Sequence, residues 1–199
     1  PYNHTIESVK NCLAVLDKNS DTIEKLDKIS FQDMVSIQEK WRKQLEDTPY
    51  AILGDKLLIG DDAILACPED TVFDYVYLND SSNITEWNYS VSGDFDVCNS
   101  NLLSVSPDCI FGRDVDISFT QIDVWHSKIP GDFLAFDSLL ERIDPGCEFG
   151  GDVDISRTDF GKEWIWNVPG DFKAECTAIE IVSPECVFGG IVDIAHTPI

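Results

Sequence analysis

Positive charge is scarce in this chain. Only 14 of its 199 residues are Lys or Arg, against 37 Asp and Glu, giving a net charge of −23. Such a balance repels a phosphate backbone, so direct nucleic-acid binding is not expected. Long apolar runs are missing as well. None approaches the roughly 18–20 residues of a membrane span, and no basic-then-apolar signal peptide opens the sequence. With Pro1 first, the chain fits a protein that has lost its initiator methionine, and a cytoplasmic location is the expectation.

Catalytic and metal-binding motifs are also lacking. There is no Gly-x-Ser-x-Gly elbow, no phosphate-binding glycine loop and no His-Glu-x-x-His. The three histidines, His4, His126 and His196, are scattered. No Cys-x-x-Cys pair offers a zinc site. The seven cysteines are an odd number, and the sequons at Asn3, Asn83 and Asn88 matter only in a secreted chain. No catalytic residue, metal or cofactor is therefore expected.

What the sequence does have is a repeat. Gly93-Asp94-Phe95 leads to Pro107-Asp108-Cys109-Ile110-Phe111-Gly112, Gly131-Asp132-Phe133 to Pro145-Gly146-Cys147-Glu148-Phe149-Gly150, and Gly170-Asp171-Phe172 to Pro184-Glu185-Cys186-Val187-Phe188-Gly189. The cysteine lies 16 residues after the first glycine in each copy, and the copies start 38 and 39 residues apart. Each copy divides again. Gly93, Arg113, Gly131, Gly151, Gly170 and Gly190 open successive lines 20, 18, 20, 19 and 20 residues apart. Each line begins with an apolar-polar alternation, the period-two signature of a strand.

Coils of about 20 residues with alternating strands and Pro/Gly corners predict a parallel β-solenoid. The alternative is a small β-propeller with one blade per 38-residue unit. Ile129-Pro130-Gly131-Asp132 and Val168-Pro169-Gly170-Asp171 carry the chemistry of type II turns. A degenerate copy opens at Gly60, and Trp87, Trp125 and Trp164 each lie six residues before a repeat glycine. With Trp166 they form either a sugar-stacking strip or an aromatic stack in the core, and the core is the simpler expectation. Leu53-Gly54-Asp55 and Ile59-Gly60-Asp61 echo the hexad rhythm of left-handed β-helices, so handedness stays open. Cys109, Cys147 and Cys186 share one position and are expected as small core residues, two coils apart and too distant to bridge.

The first fifty residues differ. Ile6, Val9, Leu13 and Leu16, then Phe31, Met34, Trp41 and Leu45, recur at helical spacing. The sequence therefore predicts a mainly β protein with an N-terminal α-helical segment. Residues 1–50 form a helical cap or oligomerisation segment, and 51–199 an acidic solenoid domain. The charge follows the same division: residues 1–50 carry 7 basic and 9 acidic groups, residues 51–199 carry 7 and 28.

Within the repeats the aspartates keep register. Asp94, Asp132 and Asp171 share one position, Asp116, Asp154 and Asp193 a second, and Asp114 and Asp152 a third. Stacked like charges cost stability, which points to a counter-charge. These eight residues are the candidate partner-binding set. The expected partner is a basic protein surface, because a row of carboxylates imitates the phosphates of a duplex. The expected function is a non-catalytic acidic binder, an inhibitor or immunity-type nucleic-acid mimic directed at a nuclease or nucleic-acid-binding protein. Two alternatives are a structural or adhesive virion or tail-fibre component and a polysaccharide-active enzyme using Asp114/Asp116 or Asp152/Asp154. Homo-oligomerisation through the N-terminal helices is a further expectation.

Overall fold

The computed structural model describes residues 48–54 and 56–198. The helical segment expected over residues 1–50 lies outside them but for its last three residues, of which Tyr50 opens a strand. The described part begins with a hairpin, β1 (Tyr50–Leu53) and β2 (Lys56–Ile59), paired antiparallel. Gly54 sits in its turn at φ 61°, in the left-handed region that favours glycine. The six-residue spacing of Leu53-Gly54 and Ile59-Gly60 is thus the repeat of a hairpin, not of helical coils. A single helical turn, α1 (Asp61–Leu65), follows where the degenerate copy was expected to open.

The solenoid takes over at residue 72. Its first coils carry β3 (Val72–Phe73), β4 (Tyr75–Tyr77), β5 (Glu86–Trp87), β6 (Ser90–Val91), β7 (Phe95–Asp96) and β8 (Ser104–Val105). Next come β9 (Val115–Asp116), β10 (Val124–Trp125), β11 (Phe133–Leu134) and β12 (Arg142–Ile143). The last are β13 (Val153–Asp154), β14 (Glu163–Trp164), β15 (Phe172–Lys173), β16 (Ile181–Val182) and β17 (Val192–Asp193). β4, β7, β9, β11, β13, β15 and β17 stack in parallel as one side of about seven turns, and β1 joins β4 antiparallel. This arrangement excludes the propeller, whose blades pair antiparallel strands within one unit. Among the described residues no helix is long and apolar enough to cross a membrane.

This spine is continuous, but the other sides pair two coils at a time, except at the start, where Val91 of β6 pairs both Phe73 of β3 and Phe111. β5 pairs β8, β10 pairs β12 and β14 pairs β16, each as a separate two-stranded sheet. The bridges Val91–Phe111, Ile129–Phe149 and Val168–Phe188 join the same couples. The 38-residue period is therefore a hydrogen-bonded doublet of coils.

Core packing explains the doublet. Along the spine the inward residues alternate small and large: Val76, Phe95, Val115, Phe133, Val153, Phe172 and Val192. The coils with valine on the spine place Trp87, Trp125 and Trp164 on another side, and those with phenylalanine place Val105, Ile143 and Val182 there. At each of these two positions an aromatic in one coil thus meets an aliphatic in the next, which evens the side-chain volume along the stack at close-packed density. The three tryptophans are fully buried and each donates its indole N–H two residues on, to the carbonyls of Tyr89, Ser127 and Trp166 at 2.6, 2.8 and 2.7 Å. They are core, and Trp166 is buried beside them rather than on a surface strip.

Of the three repeat cysteines, Cys109 and Cys147 are core and Cys186 is half-buried against it. Cys109, Cys147 and Cys186 stand in alternate coils and direct their Sγ–H to the carbonyls of Trp87, Trp125 and Trp164 at 3.8, 3.7 and 3.6 Å. Burial pushes the thiols of Cys109 and Cys147 up to about 11, so neither is a thiolate at neutral pH. Prolines 107, 145 and 184 occupy the second place of turns closed by the N–H of these cysteines.

The Pro-Gly corners are not type II turns, because neither Gly131 nor Gly170 has a positive φ. Their glycines answer a close approach: a Cβ on Gly131 would stand 2.0 Å from Oδ1 of Asp114 in the preceding coil. The type II pattern occurs at another corner and without glycine. Asn99, Phe119, Asp137, Arg157, Cys176 and His196 take φ between 54° and 60°, one in each coil from β7 to β17. A Ser or Thr follows each, and the hydroxyls of Thr120, Ser138, Thr158, Thr177 and Thr197 donate three residues back, as from Thr120 to Ile117 at 2.7 Å and from Ser138 to Ala135 at 2.8 Å. In the sequence this Ser/Thr appears five residues after each spine strand begins, at Ser100, Thr120, Ser138, Thr158, Thr177 and Thr197.

Candidate binding face

All eight aspartates singled out from the sequence lie on the spine side, but in two rows rather than three. Register places Asp94, Asp114, Asp132, Asp152 and Asp171 in successive coils, just before their strands. The positions that looked separate when alternate coils were compared form one row. The second row, two residues on, reads Tyr77, Asp96, Asp116, Leu134, Asp154, Lys173 and Asp193. Asp96 belongs to it and was missed, although Asp94-Phe95-Asp96 has the same spacing as Asp114-Val115-Asp116. The 38-residue comparison hid it, because it aligns Asp96 with Leu134 and Lys173.

The two rows do different work. In the first, each carboxylate reaches into the next coil and accepts a backbone N–H. Asp114 accepts from Asp132 at 2.9 Å, Asp132 from Asp152 at 2.7 Å, Asp152 from Asp171 at 2.7 Å and Asp171 from Ile191 at 2.7 Å. Each staples two coils together, and charge-assisted bonds of this kind are about twice as strong as neutral ones. This row is tolerated without any outside counter-charge. Burial, with Asp114 next, raises the carboxyl of Asp94, and burial likewise raises that of Asp132.

In the second row each carboxylate accepts the N–H two residues along its own chain. Asp116 receives Ser118 at 2.9 Å, Asp154 receives Ser156 at 3.0 Å and Asp193 receives Ala195 at 3.2 Å. These bonds prepare the corner at the left-handed residue. Only Lys173 interrupts the sign of the row, standing in register between Asp154 and Asp193. Asp96 and Asp116 face each other with no cation between them. Burial first, then Asp116, raises the carboxyl of Asp96 to about 6.

Apolar side chains stand within the acid. Leu134 occupies a second-row position between Asp116 and Asp154 and is 37 % exposed. Two residues after Leu134 on the same coil, Phe136 meets Phe119 edge to face at 5.5 Å, and Phe119 is 48 % exposed. The guanidinium of Arg157 lies over the Phe136 ring, 5.3 Å from its centre.

Elsewhere His126 pairs with Asp144, its Nδ1 lying 2.6 Å from Oδ2. The pair borders a shallow groove lined by Pro107, Ile110, Lys128 and Pro145. The adjacent Ser127 is buried, and its hydroxyl donates to the Cys109 carbonyl at 3.0 Å.

No protein-family model, curated protein or solved structure matches this chain.

Proposed function

We propose that the chain is an acidic binding protein whose spine side engages a basic protein surface, as an inhibitor or immunity-type mimic of nucleic acid. The observation that carries this reading is the density of carboxylates on one rigid side. Nine aspartates, five in one row and four in the other, span six rungs from β7 to β17. At about 4.8 Å per rung this is roughly 24 Å, or one charge per about 2.7 Å. A duplex carries one per about 1.7 Å of axis and a single strand one per about 3.4 Å. The partner is then a nuclease or another nucleic-acid-binding protein, held through the groove it uses for phosphates.

The second row is the place to test this, since its charge can be removed while its hydrogen bonds stay. Asn in place of Asp116, Asp154 and Asp193 keeps the acceptor for each corner N–H. Proteins retained from the native host's lysate on the immobilised chain are expected to elute with salt and with a short duplex DNA or RNA. The triple Asn variant is expected to retain at least tenfold less of them at an unchanged Tm. Full retention by that variant, or indifference to duplex and salt, sinks the proposal.

A further inference from the structure

We propose that the acidic side contains a built-in arginine reader, centred on Phe119 and Leu134, so that its partner docks through arginine rather than through basic charge in general. The inference rests on the reading of the spine side as a surface for basic proteins.

Three observations carry it. Phe119 is a bulky side chain held at φ 57° and left 48 % exposed. Left-handed backbone costs a non-glycine residue about 1–2 kcal/mol, and an exposed ring regains little of it by burial. Second, acid stands on the same coils: Asp116 precedes Phe119 by three residues, and Leu134, two residues before Phe136, stands in register with both Asp116 and Asp154. Third, the protein already seats a guanidinium on this patch, since Arg157 lies over Phe136, the ring that Phe119 touches.

An incoming arginine therefore finds what a lysine cannot use as fully. Its planar guanidinium stacks on an aromatic face while its N–H fork meets a carboxylate, and it is more weakly hydrated than an ammonium. Leu134 supplies an apolar bed for the methylene stem. Charge complementarity selects a basic partner, and the ring selects arginine within that class.

The test uses two peptides of equal length and charge, one bearing only arginines and the other only lysines, titrated against the whole chain. The wild type is expected to prefer the arginine peptide, and Phe119→Asn, which suits the left-handed backbone, is expected to reduce that preference two- to fivefold. Phe119→Tyr keeps the ring and is expected to keep the preference. Lysine-peptide affinity is expected to be the same in all three proteins. An arginine preference unchanged in Phe119→Asn overturns the inference and leaves the basic-partner reading standing. Failure of both peptides to bind overturns that reading itself.

Discussion

Asp96 shows how one carboxyl couples this fold to pH. It faces Asp116 across the spine, burial adds to the repulsion, and its carboxyl stands at about 6 against an ordinary 3.8. A folded value above the unfolded one means that folding favours the proton. The penalty for ionised Asp96 is fully present above pH 6, shrinks as pH falls through that value, and is gone below about 3.8. Asp96→Asn keeps an acceptor for the Cys98 N–H, 3.3 Å away, and removes the charge. The variant is expected to gain on the order of 2 kcal/mol at pH 7.5, seen as a Tm several degrees higher, with the gain vanishing near pH 4. An equal gain at both pH values would show that repulsion is not the cause.

At the scale of the element, a coil is specified by its partner in the doublet. Val115 lies between Phe95 and Phe133 on the spine, and its own coil spends its aromatic volume on Trp125. Val115→Phe puts three rings in successive rungs and is expected to cost about 1–3 kcal/mol by overpacking. Adding Trp125→Leu frees volume in the same coil and is expected to recover part of that loss. Urea denaturation of the two variants measures both, and purely additive costs would refute volume compensation within the coil.

The whole molecule is a continuous spine carrying paired coils. The N–H groups of Ser106, Asp144 and Ser183 bond within their doublets, to the carbonyls of Trp87, Trp125 and Trp164 at 2.8, 2.9 and 2.8 Å. The sheets containing these tryptophans stop at the doublet boundary. Repeat proteins open at their weakest interfaces. Amide exchange is therefore expected to be slower at Ser106, Asp144 and Ser183 than at His126 and Ile165, which face the preceding doublet. Uniform protection along this side would mean that doublets are not units of stability. At the same scale, the rigidity of the spine keeps nine carboxylates in fixed array, which is what the proposed mimicry requires of the molecule.

The sequence by itself determined the coil. Glycine spacing, period-two alternation and the recurrent Trp and Cys positions each record what one coil needs from the next, so repetition writes them into the chain at a fixed interval. The eight aspartates were legible for the same reason, as was their placement on one side. Tertiary structure decided what the interval concealed. Register through all coils merged Asp94, Asp114, Asp132, Asp152 and Asp171 into one row and showed it bonded to backbone N–H groups, so stacked charge there needs no outside partner. Asp96 entered the second row, and Phe119 and Leu134 entered the acidic side, because stacking brings together residues 17 to 20 apart that no local pattern links. The positive φ at Phe119 and Arg157 was equally hidden. Glycine marks such backbone in a sequence, but here hydrogen bonds between coils hold it, as from the Phe119 N–H to the Phe136 carbonyl at 3.0 Å.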